Sequence, residues 1–217
     1  MRLKNYILYS IIFLTGVISN AQLESGLLLG LTNATTTDIK ATTDAAKGSL
    51  VFNTDTNQVY VFDGTSWNQM GQKTTYTGTF RISGSGTLSV SGIPFQPTSV
   101  SFVAYANVED FNIDSDNGTR NNETGLPNAY GSMKGFARDD NGSITEQVIF
   151  NGGSGNSIND ISRYASDSHS IGVRYANQNG DKLGLTTATV TAFTSTGFTL
   201  NTDNYADGVV VIYEAHR

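Results

Sequence analysis

Apolar and polar positions alternate in short runs along most of this chain, and long helix-forming runs are absent after residue 21. The clearest case is Val100, Phe102, Ala104 and Ala106 interleaved with Ser101, Val103, Tyr105 and Asn107, a period of two with one face apolar and the other half-polar. The same reading predicts strands over Tyr76–Ile82, Gly86–Val90, Ser99–Val108, Tyr130–Arg138 and Ile144–Phe150. It continues over Ser170–Ala176, Leu183–Thr194, Gly197–Asn201 and Val209–Glu214. Turn residues fall between them: Asp140-Asn141-Gly142, Asn179-Gly180, Thr196-Gly197 and Asp207-Gly208. About eight to ten short strands with such punctuation predict an all-β fold, a jelly-roll-like β-sandwich over residues 76–217. Two stretches, 110–128 and 151–168, are polar and rich in Gly, Asn and Asp, and read as exposed loops.

Ahead of the sandwich, Ser49–Asn53 and Gln58–Phe62 flank the turn Thr54-Asp55-Thr56-Asn57 and predict a β-hairpin within residues 48–70. Val59 and Val61 alternate with Tyr60 and Phe62, so this hairpin carries apolar groups on both faces, and Trp67 closes it. A lone hairpin is marginal in water, so it must pack on the main domain or on a second copy of the chain. Residues 22–47 show no clean alternation and read as an extended or partly helical lead-in, with a short helix open to Asp38–Ala46.

The first 21 residues set the compartment. Arg2 and Lys4 precede an apolar run from Tyr6 to Ile18, and Ser19-Asn20-Ala21 ends it with small residues, the pattern of a signal peptide cleaved after Ala21. The run is shorter than the ~20 residues a bilayer span needs. No Cys follows that could carry a lipid, so no membrane insertion is expected after cleavage, and a secreted or cell-surface location is. The absence of cysteine also excludes disulfides and thiolate metal sites. Net charge is −6, and −8 without Arg2 and Lys4; such an acidic chain is a poor partner for nucleic acid.

Two stretches carry a family resemblance. Ala46-Lys47-Gly48-Ser49-Leu50-Val51-Phe52-Asn53-Thr54 followed by Val59-Tyr60-Val61-Phe62-Asp63-Gly64-Thr65-Ser66-Trp67 resembles an element of phage tail-fibre proteins and of proteins exported by Bacteroidetes-type bacteria. Ser91-Gly92-Ile93-Pro94-Phe95-Gln96-Pro97, paired with Phe193–Asn201 and the closing strand Val209–Tyr213, is similar to a β-sandwich of phage and prophage structural proteins. The matched residues are turns and core aromatics, so the resemblance transfers no catalytic residue. It implies a receptor-binding-like surface protein, and by analogy with fibres a homotrimer.

Candidate chemistry is sparse. His169 and His216 are the only histidines; a Ser-His-Asp relay would use His169 with a distant Asp, but no nucleophile elbow is present. Glu109, Asp110, Glu123 and Glu146 could serve a glycoside hydrolase, yet no spacing sets two of them across a cleft. Asn112, Asp114, Asp116 and Glu123 place oxygen ligands at positions 1, 3, 5 and 12 of a calcium-type loop, although Gly118 is displaced by one and no helices flank it. A solvated acidic loop is the alternative to an irregular Ca²⁺ site there. No other cofactor is implied. Tyr105, Phe111, Tyr130, Tyr164, Tyr175 and Tyr205 lie in or near loop-rich parts, and most aromatics in a sandwich are core. Tyr130 and Tyr164, with Phe111 and Asn112, are the candidate ligand-binding set, being beside the two polar stretches. The expectation is a non-catalytic binding or adhesion module for a glycan or another cell-surface polymer. The alternatives are a structural subunit of an extracellular filament or matrix and, last, a glycoside hydrolase.

Overall fold

The computed structural model describes residues 30–112, 126, 128–157 and 159–217, so the predicted signal peptide lies outside the described residues. The chain divides into two compact units meeting at Gly71 and Gln72. Among the described residues no helix is long and apolar enough to cross a membrane.

The first unit contains the predicted hairpin and extends it by a strand on either side. β1 (Thr32–Ala34), β2 (Leu50–Asn53), β3 (Gln58–Phe62) and β4 (Trp67–Gln69) form one sheet in the order β1-β2-β3-β4. β1 runs parallel to β2, so the stretch read as an extended or partly helical lead-in supplies an edge strand. It also supplies α1 (Thr36–Ala41), earlier than the expected Asp38–Ala46. Thr35 decides where that helix begins: its hydroxyl accepts from the Asp38 N–H while the Asp38 carboxylate accepts from the Thr35 N–H. Thr42 is already extended, so the helix stops there.

Asn53 ties helix to sheet. Its fully buried amide donates from Nδ2 to Thr36 Oγ1 (2.9 Å) and accepts through Oδ1 from the N–H of Asp55 (2.9 Å), leaving neither end of the group unpaired. Trp67 Nε1 donates to the Thr42 carbonyl (2.8 Å), and its ring packs 5.2 Å from that of Phe62. Val51, Asn53 and Phe62 are buried on the face that carries α1. The other face presents the cross-strand pairs Leu50–Val61 and Phe52–Val59. None of these four is fully buried, and Leu50 is 44% exposed.

The second unit is a two-sheet β-sandwich, as the alternation predicts. Its six-stranded sheet has the order β10-β9-β8-β7-β14-β5 and its four-stranded sheet the order β11-β12-β13-β6, all pairs antiparallel. The strands of the first are β5 (Thr75–Ile82), β7 (Ser99–Tyr105), β8 (Ala129–Asp139), β9 (Ile144–Ser154), β10 (Ser162–Ser166) and β14 (Val209–His216). Those of the second are β6 (Gly86–Ser91), β11 (Ile171–Ala176), β12 (Lys182–Thr194) and β13 (Gly197–Asn204). Between the sheets, Phe80, Phe102, Phe198 and Tyr213 form an edge-to-face aromatic cluster, with Phe102–Phe198 centroids 5.7 Å apart and Phe198–Tyr213 5.3 Å. The buried Glu146 carboxylate on β9 accepts from the Val190 N–H (2.6 Å) and Thr189 Oγ1 (2.7 Å) on β12, a polar stitch across the core.

Residues 151–168 are not one long loop. β9 runs on to Ser154, and Ser162–Ser166 returns beside it as edge strand β10, pairing Arg163 with Asn151 and Tyr164 with Phe150. β7, expected to reach Val108, ends at Tyr105, and Asn107 turns the chain with φ 61°.

Candidate functional site

The antiparallel register builds a surface row across four strands of the six-stranded sheet. Tyr105 on β7 is opposite Ser132 on β8, Ser132 opposite Asn151 on β9, and Asn151 opposite Arg163 on β10. Each alternates with buried neighbours (Ala104, Met133, Phe150, Ser162), so the row faces solvent. Tyr105 and Tyr130 are about half exposed, and with Ile161, Ser132 and Asn151 they edge a concavity of about 490 Å³. Gly131 and Gly152 line it too. A Cβ at Gly152 would collide with the Tyr130 carbonyl, and one at Gly131 with the Phe150 ring and the Asn151 carbonyl, so the two strands meet there without side chains. A second concavity of about 400 Å³ adjoins it, lined by Ile149, Asn151, Arg163 and Ala165 together with Phe150 and Tyr164. Asn151 belongs to both, making one trough with two tyrosines at one end and a guanidinium at the other. Two exposed aromatic faces beside an amide and a hydroxyl can stack a ring and hydrogen-bond its substituents.

The predicted ligand residues are dispersed by this geometry. Tyr130 lines the trough. Tyr164 borders the second concavity but is half-buried on β10, packed against the core with its ring over Gly172, on the opposite side of the strand from Arg163 and Ala165. Phe111 is exposed in the connection after β7, with Asn112 next to it, and neither lines the trough. Asp114, Asp116 and Glu123 of the candidate calcium loop lie outside the described residues. Among the described residues no three of His, Cys, Asp and Glu come close enough to hold a metal ion. Asn151, Ile161 and Arg163 were hidden from sequence reasoning by the Gly/Asn/Ser-rich composition around them, although Arg163-Tyr164-Ala165-Ser166 does alternate.

Two polar clusters lie elsewhere in the sandwich. Ser166 Oγ is 2.8 Å from His169 Nδ1, and His169 Nε2 is 3.0 Å from Asp203 Oδ2. Asp203 also accepts from Thr187 Oγ1 (2.6 Å) and Asn204 Nδ2 (3.1 Å). Burial pushes the Asp203 carboxyl up, but the bonds from Thr187 and His169 outweigh it and the net direction is down. The order of groups is that of a Ser-His-Asp relay, but Ser166 sits three residues from His169 and its Oγ also accepts from the Ser168 N–H (3.2 Å). The cluster closes the β10–β11 turn and ties it to β13.

The second cluster joins Glu109, after β7, to Asp207, in the β13–β14 turn. Burial raises the Glu109 carboxyl, helped by the charge of Asp207. Burial also raises Asp207, against the Gly208 N–H, a hydrogen bond with Glu109 and the charge of Arg81. Arg81 is itself paired with Asp110 at 2.8 Å. A hydrogen bond sets these two carboxyls side by side, closer than the ~5 Å or more that separates a glycosidase's pair, and Glu146 is committed to β12.

Residues 17–85 match the family model described as phage tail like trimerisation region. That stretch of the chain is similar to a trimerisation element. It includes the whole described part of the first unit and strand β5 of the second. The match supports a phage-tail-like protein that assembles as a homo-oligomer, a trimer. No curated protein and no solved structure matches the chain.

Proposed function

We propose that the protein is an exported, trimeric, non-catalytic binding module that recognises a surface glycan through the trough of its sandwich domain. The observation that carries the binding reading is the Tyr105–Tyr130 pair, exposed beside Ser132 and Asn151 over a glycine-lined concavity. Large aromatic faces left in water on a strand surface are costly without a partner, and this set matches the apolar face and hydroxyls of a sugar ring. Trimer assembly is supported by the family match together with the apolar strip Leu50, Phe52, Val59 and Val61, which α1 leaves open on the first unit's sheet. Three copies of such a strip packed about an axis would bury it and display three sandwich domains, raising avidity for a repetitive polymer.

The test is a glycan array probed with the full-length exported protein, with its mass measured by light scattering in parallel. Binding that Tyr130→Ala abolishes, with the trimer mass intact, supports the reading. A folded trimer that binds no glycan would leave the structural-subunit alternative in its place.

A further inference from the structure

We infer that the trough selects acidic oligosaccharides, with Arg163 as the anion-recognising residue; this rests on the glycan-binding reading above. The chain is acidic overall, yet among the described residues Arg163 is the one charged residue lining either concavity. The nearest acid in sequence, Asp160, is turned back on the chain: its Oδ1 accepts from the Ile161 N–H (2.7 Å). Along the sheet the next solvent-facing row adds Lys134, between Val103 and Ile149, and no acid.

Arg163 also differs from the other arginines of the sandwich strands. Arg81 is paired with Asp110, Arg138 with Asp140, and Arg174 donates to Ser162 Oγ and the Gly180 carbonyl. Arg163 is exposed and makes no ion pair or side-chain hydrogen bond among the described residues. An unpaired guanidinium presents a planar fork of donors that fits a carboxylate or sulfate. The register places it three strands from Tyr105, ~14 Å at ordinary interstrand spacing. That reach exceeds one sugar ring. A neutral ring stacked at the tyrosine end and hydrogen-bonded to Asn151 would therefore carry its charged neighbour to Arg163.

The experiment is calorimetric titration of the full-length exported protein with three probes: an oligogalacturonate, its carboxyl-reduced neutral counterpart, and the same neutral oligosaccharide bearing sulfate. The acidic probes should bind at least tenfold more tightly than the neutral one, and more weakly as salt is raised. Arg163→Gln should bring the ratio close to one, and Tyr130→Ala should weaken all three. Preference for one acidic probe over the other identifies the anion and supports the inference. Equal binding of all three, unchanged by Arg163→Gln, overturns the acidic selectivity and leaves the glycan site standing. No binding of any probe to folded trimer overturns the acidic selectivity, and with a blank glycan array it overturns the glycan reading as well. A change in oligomer mass on Arg163→Gln or Tyr130→Ala would show the trough to be a contact between copies, and overturns it too.

Discussion

His169 Nε2 lies 3.0 Å from Asp203 Oδ2, joining the turn after β10 to β13 across 34 residues of sequence. Asp203 is held from three sides, by His169, Thr187 and Asn204, and its carboxyl is more acidic than in an unfolded chain. As pH falls, the unfolded state therefore takes up this proton before the folded state does. The stability it contributes is complete above the ordinary aspartate range near pH ~4 and drains as pH drops through that range to the lower folded value. Asp203→Asn should cost about 1 kcal/mol at neutral pH, the worth of an exposed, shared hydrogen-bond set. It should also flatten the acid limb of a thermal-melt series between pH 3 and 6.

Glu109 and Asp207 give the opposite slope. Both folded carboxyls are raised, chiefly by burial, so on raising pH the unfolded chain releases these protons first. Their contribution is complete below the unfolded values near pH ~4 and is lost as pH rises through the folded ones. Glu109→Gln removes one ionisation and keeps a donor for Asp207. The variant should melt higher than wild type at pH 7 and converge with it at pH 4. Equal offsets at both pH values would show that the two carboxyls do not compete for a proton.

Close approach of the two sheets is tested at Gly135 on β8. A Cβ there would collide with the Ser170 carbonyl, which is backbone and cannot rotate away. Gly135→Ala should therefore cost about 2–3 kcal/mol and lower Tm by roughly 5–10 °C. Gly155→Ala, whose Cβ would meet Asn128 at an ordinary 3.6 Å, should stay within about 0.5 kcal/mol.

The strands that sequence made legible are those whose alternation is set by one buried face: Val100-Phe102-Ala104 is read from the chain and is fully buried in the fold. What it could not show was pairing at a distance. Thr32–Ala34 has no apolar pattern of its own and is a strand because β2 offers a parallel edge. Ser162–Ser166 is likewise made a strand by hydrogen bonding to β9, and its outward Arg163 and Ala165 carry no hydrophobic signal. The trough followed the same rule. Tyr130 was visible as an aromatic beside a polar stretch, whereas Asn151 and Arg163 become site residues only through the β8–β9–β10 register. Tyr164 looked equivalent to Tyr130, but it sits on the inward side of an edge strand whose existence the composition concealed.

Self-association should be sensitive to charge on the strip that α1 leaves open. Val61 pairs across the sheet with Leu50, beside the Phe52–Val59 pair, and its side chain is on the face away from Asn53 and Phe62. An aspartate there would place three carboxylates near a trimer axis, where each is desolvated and repels the others. Within a single copy the position is only half-buried, so the fold tolerates the change better than the assembly does. Light scattering should show Val61→Asp falling to about one third of the wild-type mass with its far-UV circular dichroism retained. Gln58→Glu, exposed at the start of the same strand, should keep the wild-type mass. If Val61→Asp remains trimeric, the strip is not the contact and assembly rests on another part of residues 17–85.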